Sequence, residues 1–143
     1  MKKARQEIIL KKKDQSQVVL RGYSLVNSFT IFGSPARKSN SRVYTGTAFI
    51  LGKSAQAFVT LFKRQISRIK FADIPFSRRD FFWVFEIWYN CKSADASIEL
   101  IFDAMEHNGI VDNDVNIRNY LVLAEDLDYI TPRVKITLYK KED

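Results

Sequence analysis

Six carboxylates fall within the 23 residues from Lys92 to Asp114, K-S-A-D-A-S-I-E-L-I-F-D-A-M-E-H-N-G-I-V-D-N-D, of a chain whose formal net charge is +7. Acids at both ends of a short helical pattern are donors for a hard cation. Magnesium takes one or two carboxylates, with waters and substrate phosphate oxygens completing an octahedron. Asp95 and Asp114 are the natural pair, provided that the helix packs antiparallel on its strands and the returning strand lies beside the first. Read as strand residues, Asp112 and Asp114 point to one side and Asn113 to the other. The plainer reading of the same residues is a set of solvated helix acids and turn formers, with Asp95 complementing the helix dipole.

Other chemistries lack their residues. There is no Ser-His-Asp arrangement, no phosphate-binding glycine loop and no dinucleotide fingerprint. The single histidine, His107, reads as a partner for the last carbonyls of a helix. The single cysteine, Cys91, allows no internal disulfide, and no zinc-ligand spacing occurs, so a reducing, cytoplasmic setting is expected. The lysine-rich start has too short an apolar run for a signal peptide, and no run is long enough to span a bilayer; a membrane is not an expected partner.

The charge is divided along the chain. Met1 to Arg79 holds 17 Lys and Arg against 3 Asp and Glu, whereas Asp80 to Asp143 holds 6 against 13. A basic half suits capture of a polyanion through counterion release, and an acidic half suits a cation. The two halves attracting each other on folding accounts equally well for the division.

The elements that would position these residues form an α+β order, a small mixed sheet packed with two main helices. Residues 1–22 read as a basic N-terminal extension whose apolar runs Ile8-Ile9-Leu10 and Val18-Val19-Leu20 either pair as a hairpin or stay loose; residues 23–143 read as the main domain. Ser28 to Phe32 predicts a strand, followed by the loop G-S-P-A-R-K-S-N-S-R with Arg37, Lys38 and Arg42. T-A-F-I-L is a second strand, and Ser54 caps a helix to about Ile69 with Phe58, Leu61, Phe62, Ile66 and Ile69 on one face. F-F-W-V-F-E-I-W-Y-N, Phe81 to Asn90, is a buried strand with Trp83 and Trp88 in the core. Ser93 caps a second helix whose apolar positions are Ile98, Ile101, Phe102 and Met105, and Gly109 ends it. A strand is expected from Val111 through Leu123, then a turn at E-D-L-D-Y-I-T-P, then R-V-K-I-T-L-Y-K.

P-A-R-K-S-N-S-R, then a short strand and K-S before an amphipathic helix, then an aromatic strand leading to acids, F-D-A, a glycine and more acids, resembles the RusA-type Holliday junction resolvases of phages and prophages. The resemblance covers about Tyr23 to Lys140. With Phe102-Asp103-Ala104 as anchor, the second acid of the family's D-x-D falls on Asp95 and the second acid of its D-D pair on Asp114. The first acid of D-x-D falls on Ser93, the following Asn on Ala96, the first acid of D-D on Asn113, and a functional helix lysine on Glu99. Lys92 matches a basic position before the acids.

The resemblance implies a homodimeric, magnesium-dependent endonuclease that binds four-way DNA junctions and nicks opposing strands symmetrically, with no small-molecule substrate. Arg37, Lys38, Asn40, Arg42, Lys53 and Lys92 would hold the DNA backbone. Asp95 and Glu99 stand four residues apart, roughly 40° around a helix, so Glu99 replaces the carboxylate lost at Ser93 or is an exposed helix acid. The replaced ligand set is Asp95, Glu99 and Asp114, with the Ser93 hydroxyl as an auxiliary group, and it favours high magnesium or manganese. A junction-binding module that has lost catalysis is the alternative.

Overall fold

The computed structural model describes residues 7–11, 17–34, 42–44, 49–51, 53–71, 76, 81–90, 98–113 and 116–142. The strands are β1 (Glu7–Lys11), β2 (Gln17–Arg21), β3 (Tyr23–Phe32), β4 (Arg42–Tyr44), β5 (Phe49–Leu51), β6 (Phe81–Trp88), β7 (Asn119–Ala124) and β8 (Arg133–Lys141); the helices are α1 (Lys53–Ile66) and α2 (Ile98–His107). The main sheet has the order β3-β8-β6-β7, and β1-β2 and β4-β5 form separate strand pairs. β3 and β6 are antiparallel to β8, whereas β7 is parallel to β6. The sheet is therefore mixed and the fold is α+β.

β6 is central because F-F-W-V-F-E-I-W can be buried from both sides. Aromatic and β-branched side chains fill a pleated surface well, and Phe81, Trp83, Phe85 and Ile87 all enter the main core. Phe29, Ile31, Val134, Ile136 and Leu138 join them from β3 and β8. α1 contributes Ala55, Phe58, Phe62 and Ile66, and α2 contributes Leu100, Ile101, Ala104 and Met105. Both helices thus cover one face of the sheet. Each fully buried side chain of the size of Phe62 or Ile136 contributes about 1.5–3 kcal/mol.

Several expectations need adjusting. β3 starts at Tyr23, with an irregularity in its pairing between Leu25 and Asn27. α1 opens at Lys53, one residue before the expected cap, and tightens after Ile66 into turns in which Arg68 N donates to Gln65 O and Ile69 N to Ile66 O. Leu61 lies at the margin of the helix face and is exposed. Trp83 is core, but Trp88 is on the sheet's other face, only half-buried, with the Arg133 guanidinium 4.1 Å from its ring. The apolar runs near the N-terminus are paired, Glu7 opposite Arg21 through Lys11 opposite Gln17. Their ion pair is exposed and worth little.

The end of α2 follows its sequence signal. Gly109 takes φ 73°, its N–H donates to Glu106 O at 3.1 Å, and Ile110 N donates to Met105 O at 3.0 Å. This closes the last turn with a left-handed residue that glycine adopts freely. Ile110 is fully buried, and its carbonyl accepts from Phe76 N.

The strand expected from Val111 begins only at Asn119. Asp112 lies in an irregular segment where Asn116 N donates to Asn113 O and Asn116 Nδ2 donates to Asp112 Oδ1 at 2.6 Å. Alternation by strand period therefore does not apply to Asp112. The physical reason is local: Asp and Asn side chains offer the backbone turn geometries that compete with a ladder, and buried Asn116 requires a partner.

Candidate nucleic-acid and metal site

Two connections meet at one end of the main sheet. Ser34, the last described residue before the basic loop, donates from Oγ to Asn90 Oδ1 at 3.1 Å. Asn90 is the last described residue before the acidic segment. Gly33 N donates to Pro132 O at 2.8 Å, which ties the same corner to the start of β8. The roots of the P-A-R-K-S-N-S-R loop and of C-K-S-A-D are thus held side by side, although they are 56 residues apart in sequence.

The turn from Asp128 to Arg133 stiffens this end. Asp128 accepts from Ile130 N, Thr131 N, Thr131 Oγ1 and Arg133 Nη1, the last at 2.9 Å. The Thr131 backbone and hydroxyl bonds, with those from Arg133 and Ile130, hold its carboxyl down at about 2. The D-x-x-T spacing in the sequence is a signal for such a turn. No local signal announces the Ser34 to Asn90 contact.

Two of the expected DNA-contacting residues fall within described elements. Arg42 opens β4 opposite Leu51 in β5, and Lys53 follows two residues later as the exposed first residue of α1. The first turn of α1 has no acid. A lysine there opposes the helix dipole, which disfavours a cation by about 0.3–1 kcal/mol at an N-terminus; an anion reverses that sign. Arg37, Lys38, Asn40 and Lys92 lie outside the described residues.

Of the expected metal ligands, Glu99 is exposed in the first turn of α2. Its oxygens suit a hard cation in kind. Asp112 is exposed but already accepts from Asn116. Ser93, Asp95 and Asp114 lie outside the described residues. Among the described residues no three of His, Cys, Asp and Glu gather around one point.

The β6-α2-β7 unit satisfies one condition set by the sequence: β7 returns beside β6, with Phe82 opposite Asn119 through Ile87 opposite Ala124. Because the strands are parallel, the connection to α2 leaves one end of the sheet and the connection to β7 enters at the other.

No protein-family model matches this chain, and no curated protein matches it in sequence. No helix among the described residues is long and apolar enough to cross a membrane.

Proposed function

We propose that this chain is a magnesium-dependent endonuclease that binds four-way DNA junctions as a homodimer and nicks opposing strands, acting in DNA recombination, repair or phage DNA processing. The observation that carries the reading is the Ser34 to Asn90 hydrogen bond, which roots the basic loop and the start of the acidic segment at one corner. A nuclease needs that juxtaposition, because the cations that hold the phosphate must stand beside the carboxylates that hold the metal. Lys53 is an exposed cation at the start of α1, and it gains from a phosphate what it loses to the helix dipole.

In this reading Asp95 and Asp114 hold the ion, with Glu99 in place of the acid absent at Ser93. Magnesium supplies Lewis-acid stabilisation of charge on the phosphoryl group. Arg37, Lys38, Asn40, Arg42, Lys53 and Lys92 position the DNA backbone. The second reading, a junction-binding module without catalysis, is favoured by Ser93 and by the engagement of Asp112 with Asn116.

A gel assay on a synthetic four-way junction, with magnesium or with chelator, separates the readings. The nuclease nicks with magnesium or manganese alone, and Asp95→Asn and Asp114→Asn abolish nicking while binding survives. Binding with no nicking under any metal leaves the silent module. Normal nicking by both variants rejects the ligand assignment.

A further inference from the structure

β7 is the outermost strand beside β6, and nothing among the described residues pairs with its outer side. Glu125 N donates to Ile87 O at 2.8 Å, and Ala124 stands opposite Ile87. In a parallel ladder this turns the odd-numbered residues of β7 toward β6. The N–H and C=O groups of Tyr120, Val122 and Ala124 therefore point outward. N-Y-L-V-L-A contains no charge and no proline, the usual guards of a free edge. Tyr120 and Val122 are 43% and 37% exposed, large values for apolar residues in a sheet.

We propose that a second copy of this chain occupies this edge, with the β7 strands paired antiparallel about a two-fold axis through Val122. The pairing continues the sheet across both protomers and keeps all helices on one side. The inference rests on the proposed function only for its expectation of two copies, and on neither its metal nor its DNA.

The register follows from the strand's ends. With Val122 opposite Val122, Tyr120 faces Ala124, Asn119 faces Glu125 and Arg118 faces Asp126. A large ring meets a small side chain, and an arginine meets an acid at each end. Opposite charges on facing strands stabilise and like charges destabilise. Parallel pairing would instead set Arg118 against Arg118 and acid against acid. The same register puts outward backbone groups opposite each other at Tyr120, Val122 and Ala124, so each finds a partner. Tyr120 is held for the contact by edge-on packing against Phe102 at 5.1 Å and Phe85 at 6.3 Å.

The test combines mass measurement with cross-linking. Light scattering of the whole chain gives the mass of two copies. In a Cys91→Ser background, Val122→Cys forms an intermolecular disulfide on mild oxidation, because directly opposed residues of a hydrogen-bonded pair stand roughly 5.5 Å apart at Cα, within disulfide range. Leu121→Cys, which faces Leu123 rather than itself, cross-links far more slowly. Val122→Lys places two cations on the axis and gives a single-copy mass with an unchanged circular dichroism spectrum. Arg118→Glu weakens association by up to about tenfold, and adding Asp126→Arg restores it. A two-copy mass with no preference for Val122→Cys over Leu121→Cys overturns this interface and leaves the homodimer standing. A single-copy mass at every concentration overturns both, while junction nicking, measured separately, decides the catalytic reading.

Discussion

The two outer strands of the main sheet are treated in opposite ways. At β3 the edge is guarded at its end. Its pairing with β8 is interrupted between Leu25 and Asn27, and Gln65 of α1 acts as a substitute strand at its end. Phe32 N donates to Gln65 Oε1 and Gln65 Nε2 donates to Phe32 O, both at 2.7 Å. At β7 the edge is regular and uncharged, and no described residue pairs with its outer side. An irregular ladder and a side-chain clamp are how proteins keep an edge from pairing; neither occurs among the described residues at the other edge of the same sheet, which marks where pairing is tolerated. Exposed edge strands are therefore informative only in pairs.

The strongest way to break the contrast is at Gly33, which ends the guarded edge. Its φ is +133°, and a Cβ there would stand 3.1 Å from Leu61 Cδ1. Gly33→Ala should cost about 1–3 kcal/mol, read as a lower urea midpoint with an unchanged slope. A midpoint equal to that of the wild type would show that the corner relaxes without strain.

Next is the clamp. Gln65→Ala removes its two hydrogen bonds to Phe32 and a longer one to Leu61 O, all at exposed backbone that water can replace, so the expected loss is about 1 kcal/mol. It should also make the β3 edge available, visible as species larger than two copies in concentration-dependent sedimentation. Loss of stability without new association would mean that the pairing irregularity alone protects this edge.

Val122→Lys should leave the fold itself nearly untouched, within about 0.5 kcal/mol, as for other exposed substitutions. The wild-type unfolding midpoint should rise with protein concentration, since association stabilises the folded state; the variant's should not. A concentration-dependent midpoint that survives the substitution would place the contact elsewhere.

The smallest effect is expected at Asp128, in the turn that carries the chain from β7 to β8. Its folded pKa lies at about 2, below the ordinary value of 3.8. A depressed carboxyl contributes stability that is full above its unfolded pKa and is lost as pH falls through the folded one. The loss therefore runs from about pH 4 down to about 2, and Asp128→Asn should flatten that part of the acid profile. An identical profile in the variant would show that the turn adds nothing to stability.

Much of the architecture was legible locally. The 3.6-residue period marked α1 and α2, the aromatic run marked β6, and Gly109 marked the end of α2. Where reading by period failed, a polar side chain won: Asn116 and Asp112 bind each other where alternation expected a strand. Trp88 shows the other failure, since its composition suits a core but its even position in β6 turns it to the face shared with Arg133. For the candidate site, residue types and charge division were legible, and so was the exposed Lys53. Asp95, Asp114, Ser93, Lys92 and most of the basic loop lie outside the described residues.

The sequence by itself determined helix and strand identity, the glycine stop of α2 and the segregation of charge, because these depend on dihedral preferences and periodicity over a few residues. Only the tertiary structure decided that β7 returns parallel beside β6, that Ser34 meets Asn90, and that one sheet edge is clamped at its end while the other has no partner among the described residues. Those contacts join residues far apart along the chain, and their partners are selected by how the shared core packs, a property no local window contains.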